Sequence, residues 1–349
     1  IIPLCSTLPD GKVYDMVLEA GGIADRRTMP GMLQAEHAHI QAVMEIDAAV
    51  AERLRAIARE DQILENESMA RHTTFRLGGP VRLMALPKTR EEAICAVRTA
   101  WEMELEPFFL GNGSNLLVRD GGIRGLVIRI AGDCAGIRRE ENKLYAKAGI
   151  SMSAAAQFAL SEGLSGLAEM AGIPGTLGGG VIMNAGAYGS ELSQVVTHVD
   201  AVSISDGKPV SFEGSELGFS YRHSAMMDAN VIVTDVVMEL TPSDPDAIRA
   251  RMDECARARR EKQPLNFPSA GSTFKRPTGL FAAKLIDDCG LRGLRVGDAQ
   301  VSEKHTGFVV NLGHATASDI LTLLEEIKSR VYSTTGVTLE PEIRILGED

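Results

Sequence analysis

Residues 172–189 read GIPGTLGGGVIMNAGAYG, with five glycines in the first nine positions and an Asn-Ala-Gly step at 184–186. Glycine has no Cβ, so backbone N–H groups can approach a phosphate closely, and successive amides form a nest for an anion. Working outward from this stretch, a second glycine-rich segment, GNGSN, occupies 111–115 directly after the apolar Phe108, Phe109 and Leu110. Either segment alone reads equally as a tight turn, since short glycine motifs recur by chance. Two in one chain favour a nucleotide cofactor that carries a pyrophosphate.

The common signatures are missing. The sequence holds no GxGxxG, no GxxxxGK[ST], no HExxH and no GxSxG, which argues against the usual dinucleotide, P-loop, zinc-protease and serine-hydrolase chemistries.

The elements around the loops alternate. Val81 to Leu86 reads as a strand ending at Pro87, and Thr89 with Glu92 as the capping box of a helix with Ala93, Val97 and Trp101 on its apolar face. Strands follow at Phe108–Leu110, Leu116–Val118 and Leu126–Ile130, then at Leu144–Ala148, Val199–Ile204 and Val231–Leu240. A small-residue helix lies near Ser153–Ser161, and a charged helix runs from the break at Ser243–Asp246 to Lys262. Leu265–Pro268 reads as a linker. The last third offers a helix near Leu280–Cys289 and a strand Phe308–Asn311. Its final helix has Ile320, Leu324, Ile327 and Val331 in phase and Gly336 as its stop. Upstream, Val43, Ile46, Val50, Leu54 and Ile57 share one helical face, whereas residues 1–42 show no clear period and read as an extension.

Composition narrows the function. A chain of 349 residues needs two or three domains. Its net charge of -11 argues against nucleic acid as main partner, because phosphate backbones select clustered Lys and Arg. A phosphorylated substrate would need a local basic site within an acidic protein. The five cysteines are scattered without a CxxC pair, which fits neither a disulfide framework nor a zinc site and suits a reducing cytoplasm. The start, Ile1 to Cys5, is apolar but soon meets Asp10, Lys12 and Asp15, so no signal-peptide core is expected. His37 and His39 form an HxH without further ligands, so no metal is expected.

Three further segments carry reactive groups. Tyr221-Arg-His-Ser at 221–224 sets an arginine beside an aromatic. SAGSTFKRP at 269–277 places Ser272 after a glycine, with Lys275 and Arg276 close behind; a hydroxyl can pass a proton, and cations can hold an anionic substrate. LEPEIR at 339–344 contains Glu340 and Glu342. Each taken alone also reads as an ordinary polar loop, stack or solvated carboxylate.

In the order GNGSNLLV, AGIPGTLGGGVIMNAGAYG, YRHS, AGSTFKRP, KLIDDCGLRG, VSEKHTGFVVN and LEPEIRILG, the chain resembles the UDP-N-acetylenolpyruvoylglucosamine reductase family from about residue 60 to its end. The resemblance implies an α+β architecture: a two-subdomain FAD-binding fold of the vanillyl-alcohol oxidase/p-cresol methylhydroxylase type and a C-terminal α/β substrate-binding domain. The expected divisions are an extension at 1–42, FAD subdomains at 43–135 and 136–243, a substrate domain at 264–338, and a C-terminal strand carrying Glu342 at 339–349. It implies FAD held non-covalently, NADPH as co-substrate, ping-pong kinetics, and reduction of UDP-N-acetylglucosamine enolpyruvate to UDP-N-acetylmuramate for peptidoglycan, by a monomer.

Position by position, the resemblance gives catalytic roles to Arg222, Ser272 (proton donor) and Glu342, the last preferred over Glu340. FAD would be held by Gly111, Asn112, Gly113, Ser114 and Asn115, by Gly172, Ile173, Pro174, Gly175, Thr176, Gly178 and Gly179, and by Asn184, Ala185 and Gly186, with Arg76 nearby. Tyr221, Lys275 and Arg276 would bind substrate. One subgroup of the family inserts a tyrosine-bearing loop after its YRxS motif. Here Ser224 leads almost directly to a strand, so the substrate diphosphate is expected on Lys275 and Arg276. A sugar or aldonolactone oxidase with FAD tethered through His72 or His223 is the nearest alternative, and a non-catalytic flavin module another.

Overall fold

A computed structural model describes residues 49–55, 60–132 and 136–349, and residues 49–349 group as one unit. The extension, His37, His39 and most of the helix expected from Val43 to Ile57 lie outside the described residues. Only 49–55 are seen as helical, with Val50, Ala51 and Leu54 buried.

The first subdomain is built on a four-stranded sheet. Strand β1 (Ile63–Ser68) runs antiparallel to β2 (Pro80–Ala85) at the edge. Next, β2 and β3 (Phe108–Leu110) both pair in parallel with β5 (Ile123–Arg129), which lies between them. Helix α1 (Arg90–Glu102) crosses from β2 to β3, as parallel strands require. Thr89 caps it by accepting the N–H of Glu92. The Glu92 carboxylate turns back to accept from the Lys88 amide, 2.7 Å away, and that bond above all holds its pKa below the usual value. Trp101 was expected on the apolar face, but it is 52% exposed; Ala93, Ala96, Val97, Thr99 and Ala100 are the buried residues. Small side chains let the helix approach the sheet closely, leaving a large indole no room beneath it.

The second subdomain is antiparallel. β6 (Ile137–Glu140), β7 (Lys143–Lys147), β8 (Val196–Ser203), β9 (Pro209–Glu213) and β10 (Val231–Glu239) form a sheet in the order β9-β8-β10-β7-β6. Its core joins this sheet to α2 (Met152–Ser161) and α3 (Leu177–Ile182), and takes in Ile248 and Met252 of α4 (Pro245–Lys262). The charged helix therefore packs on this core through a narrow apolar face.

The third unit sets α5 (Ala282–Asp288) and α6 (Ala317–Thr335) with an antiparallel sheet of β11 (Arg295–Val296), β12 (Ala299–Val301) and β13 (Val309–Asn311). Gly336 ends α6 in the left-handed conformation, φ 72°, where a side chain would be strained. The core of this unit takes in Phe75, Leu77 and Leu117 from the first subdomain.

Polar ties reinforce that shared core. The Asn311 side chain is buried, donating to the Phe75 carbonyl and accepting from Gly313 and Ala315. Asp120 accepts the first N–H groups of α6, Ala317 at 2.8 Å and Ser318 at 2.9 Å. Last, β14 (Arg344–Leu346) leaves its own unit and pairs in parallel with β4 (Leu116–Val118) of the first subdomain. Glu342 lies two residues before this strand and not in it, because the bridge at Pro341 and the bend at Ile343 break the extended run.

Asp120→Ala strips two capping bonds from α6 and is expected to cost about 1 kcal/mol, read as a lowered thermal midpoint, with Asp120→Asn losing less. An unchanged midpoint for the Ala variant would remove Asp120 from the tie between these units.

Candidate active site

The two glycine-rich segments lie against each other. GNGSN follows β3 at the C-terminal edge of the parallel strands, where open α/β sheets bind ligands. The Asn112 amide donates to the Pro174 carbonyl at 3.1 Å. A Cβ on Gly111 would lie 2.4 Å from Thr176 Oγ1, so only glycine allows this contact. Gly113 is under the firmest constraint: its φ is +59°, and a Cβ would sit 2.0 Å from the His72 carbonyl oxygen. Thr176 caps α3 by accepting from Gly179. Among the described residues, the amides of Asn112, Gly113 and Ser114 donate to no protein acceptor. Three consecutive free N–H groups at a sheet edge are the donor set an anion needs.

Close by, a turn presents Tyr221 and Arg222. Ser220 and His223 exchange backbone hydrogen bonds at 3.0 and 3.2 Å, closing the turn. Arg222 is held at φ +56°, a conformation that costs a non-glycine residue roughly 1 kcal/mol. Asn184 braces this turn from below. It has no exposed surface; its amide donates to the Ser220 carbonyl and accepts from Ser193 N–H. The Asn184 side chain is thus spent on bracing this turn.

Glu342 arrives from the C-terminal segment. Its carboxylate accepts from Arg222 Nε at 2.6 Å, with side-chain exposures of 12% and 20%. Its backbone is fixed on both sides: the Glu342 amide donates to the Thr273 carbonyl at 2.8 Å, and Asn115 donates to the Glu342 carbonyl at 3.1 Å. Ser272, next to buried Thr273, is exposed. Segments some 50 to 120 positions apart thus meet in one place, with Glu342 on Arg222. Glu340 instead pairs with Lys275 at 3.2 Å.

The other residues expected at the site are spread around this junction. Arg276 has no carboxylate partner among the described residues; its amide donates to the Tyr221 hydroxyl at 3.3 Å, and its guanidinium lies 5.5 Å from the Phe281 ring. Arg76 is exposed at φ +55° in the loop between β1 and β2, whose Phe75 and Leu77 pack into the core of the third unit. His72 Nε2 lies 3.0 Å from Glu67 and His223 Nε2 3.0 Å from Asp228, so both rings are engaged by carboxylates. Among the described residues no group of side chains is arranged to hold a metal.

One feature escaped the sequence. A cavity of about 310 Å³ opens between α1 and the second sheet, walled by Ile94, Val97, Ile130, Val202 and Ile232. Lys88, Arg90 and Lys147 stand at it too. It lies beyond the C-terminal ends of β2 and β5, on the same sheet edge as GNGSN. Its walls come from four separate elements, which no local motif announces.

The model of the UDP-N-acetylenolpyruvoylglucosamine reductase C-terminal domain matches residues 263–346, and that of an FAD binding domain matches residues 81–213. The UDP-N-acetylenolpyruvoylglucosamine reductase of Clostridium novyi (strain NT) is 44% identical over 297 residues, 85% of this chain and 96% of that protein. That of Geobacillus thermodenitrificans (strain NG80-2) is 42% identical over 306 residues, 88% and 100% of the two chains. The crystal structure of the reductase from Thermus caldophilus superposes with a TM-score of 0.69 at 38% identity, covering 82% of this chain and 98% of that one.

Asn184→Ala would leave the Ser193 amide without a partner inside the protein and the Ser220 carbonyl with its bond from His223 alone. It is expected to lose about 1–3 kcal/mol, measured by denaturant unfolding; an unaltered unfolding curve would show that Asn184 does not brace the turn.

Proposed function

The chain belongs to the UDP-N-acetylenolpyruvoylglucosamine reductase family, and on that premise we propose that it reduces UDP-N-acetylglucosamine enolpyruvate to UDP-N-acetylmuramate at the Arg222–Glu342 junction, with NADPH as hydride source. It is an FAD-dependent oxidoreductase of peptidoglycan precursor synthesis. The observation that carries the reading of the site is the 2.6 Å contact between Arg222 and Glu342 beside the loop of Ser272.

The residues present fit FAD. The free amides of Asn112, Gly113 and Ser114 suit its pyrophosphate, and the apolar cavity with its cationic residues suits the flat adenine end. The carboxylate contacts of His72 and His223 favour FAD held without a covalent bond. Bound FAD supplies hydride chemistry that no side chain offers.

The chain's own groups handle charge and protons. When the methylene carbon of the enolpyruvyl group accepts a hydride, negative charge spreads over the neighbouring carbon and the carboxylate. Arg222 faces that charge. Only its Nε is bound to Glu342, so its terminal N–H groups remain for the substrate. One such preorganised donor is worth about 3–4 kcal/mol. Glu342 fixes the plane of the guanidinium, which answers why a carboxylate stands so near a developing anion. Ser272 then gives its hydroxyl proton to the charged carbon.

Arg276 takes the substrate diphosphate in this reading, with Tyr221 beside it, while Lys275 is occupied by Glu340. That assignment accords with a chain of the subgroup that lacks the tyrosine loop. We further propose FAD subdomains at 43–135 and 136–243 and a substrate domain at 264–338, supported by an apolar core centred on each, with Phe75, Leu77 and Leu117 of the first reaching into the third. A cytoplasmic monomer is the accompanying proposal. Free Cys95, Cys255 and Cys289 support the compartment, and among the described residues no helix is long and apolar enough to cross a membrane.

Ser272→Ala is expected to let NADPH reduce the flavin at its usual rate while substrate-dependent reoxidation slows by roughly 10²–10⁴-fold, followed by stopped-flow absorbance. Reoxidation within a few-fold of the parent protein would exclude Ser272 as proton donor. Gly113→Ala, by forcing a Cβ against the His72 carbonyl, is expected to purify without yellow flavin; a full flavin complement would detach the GNGSN loop from cofactor binding.

A further inference from the structure

The rim outside the junction alternates cation and aromatic ring. Arg222 lies 5.2 Å from the Tyr221 ring, the Tyr221 hydroxyl accepts from the Arg276 amide, and the Arg276 guanidinium lies 5.5 Å from the Phe281 ring. Phe281 stands at the N-cap position of α5 and is 59% exposed, with Leu280 beside it at 42%. A phenyl ring so exposed loses the hydrophobic stabilisation that burial would give it. The Arg276 guanidinium lies over its ring, and more than half of the residue's surface is exposed.

The backbone sets its place relative to the chemistry. Residues 272–276 run alongside the C-terminal segment, with Phe274 bridged to Pro341 and Lys275 N–H donating to the Glu340 carbonyl. Four residues span at most about 13 Å, and the bend at Thr273 keeps Arg276 within that reach of Ser272. Phe281 lies past Arg276 along the chain, after a turn in which Leu280 N–H donates to the Pro277 carbonyl.

We propose that Phe281 is the stacking platform for the pyrimidine base of the nucleoside diphosphate, with Arg276 between the base and the diphosphate. This inference rests on the reading of the substrate given above. A ring with an open face and a cation beside it recognises a flat base without reading its edges, and a base stacked on an aromatic side chain is typically worth about one to two orders of magnitude in affinity. Phe281 would thus set affinity for the nucleotide handle and leave the reacting carbon to Arg222 and Ser272.

The test uses the FAD-loaded enzyme and variants Phe281→Leu, which keeps apolar bulk without a flat face, and Phe281→Trp, which enlarges the face. The dissociation constant of UDP alone is measured by equilibrium dialysis, and KM and kcat with the enolpyruvyl substrate. Phe281→Leu is expected to weaken UDP and raise KM about 10-fold with kcat within two-fold, and Phe281→Trp to restore both. UDP affinity in Phe281→Leu within two-fold of the parent protein overturns the proposal, as does failure of the parent protein to bind UDP. Parent protein that binds UDP but does not turn over the substrate would overturn the proposed reaction and leave the stacking to be judged by dialysis.

Discussion

The parallel pairing of β14 with β4 is the constraint on which the site depends. Arg344, Ile345 and Leu346 lie opposite Leu116, Leu117 and Val118, so the end of the chain is stitched into the subdomain whose GNGSN loop immediately precedes β4. Register then does the rest. A slip of one residue would turn Ile345 and its neighbours to the wrong face, and would carry Glu342 away from both Asn115 and Thr273. With the register fixed, the Glu342 backbone is bonded on one side to the GNGSN loop and on the other to the loop of Ser272. The carboxylate can then meet Arg222 from the second subdomain.

Of the eight non-glycine residues at positive φ among the described residues, Arg76, Asn184, Tyr188 and Arg222 lie in segments around the site, and the other four lie elsewhere in the fold. Such conformations persist only where surrounding contacts over-determine them. For Arg222 those contacts are identifiable: two backbone bonds across its turn, Asn184 beneath and Glu342 at the tip. The arginine is thereby held in place before any substrate arrives, which is what electrostatic stabilisation of a developing charge requires.

Much of this was legible in the sequence, and for a physical reason. The glycine loops announce themselves because their constraint is local: Gly113 has both a left-handed backbone and a carbonyl where its Cβ would be. The final helix was readable from Ile320, Leu324, Ile327, Val331 and Gly336, since amphipathic period and helix stop are properties of neighbours along the chain. Edge strands such as β1, whose inner residues Glu65, Asn66 and Glu67 carry no apolar alternation, gave no such signal. Trp101 misled because period places a residue on a face but says nothing of the depth available there. The motif around Asn184 is local, whereas the turn that its side chain braces lies 36 residues away. The cavity beside α1 depends on four elements meeting, which only the folded chain supplies.

The charge of the protein fits this arrangement. A net charge of -11 leaves no general attraction for phosphate, yet the proposed substrates and cofactor all carry phosphates. The site answers with directed donors: free amides in the glycine loop, Arg222 aligned by one carboxylate, and Arg276 without one among the described residues. Backbone amides and fixed guanidinium groups act over a few ångströms and lose little to salt screening where solvent is excluded. An acidic surface disfavours polyanions at large, whereas a few fixed cationic points act only on a small anion placed against them, so the two effects come from the same distribution of charge.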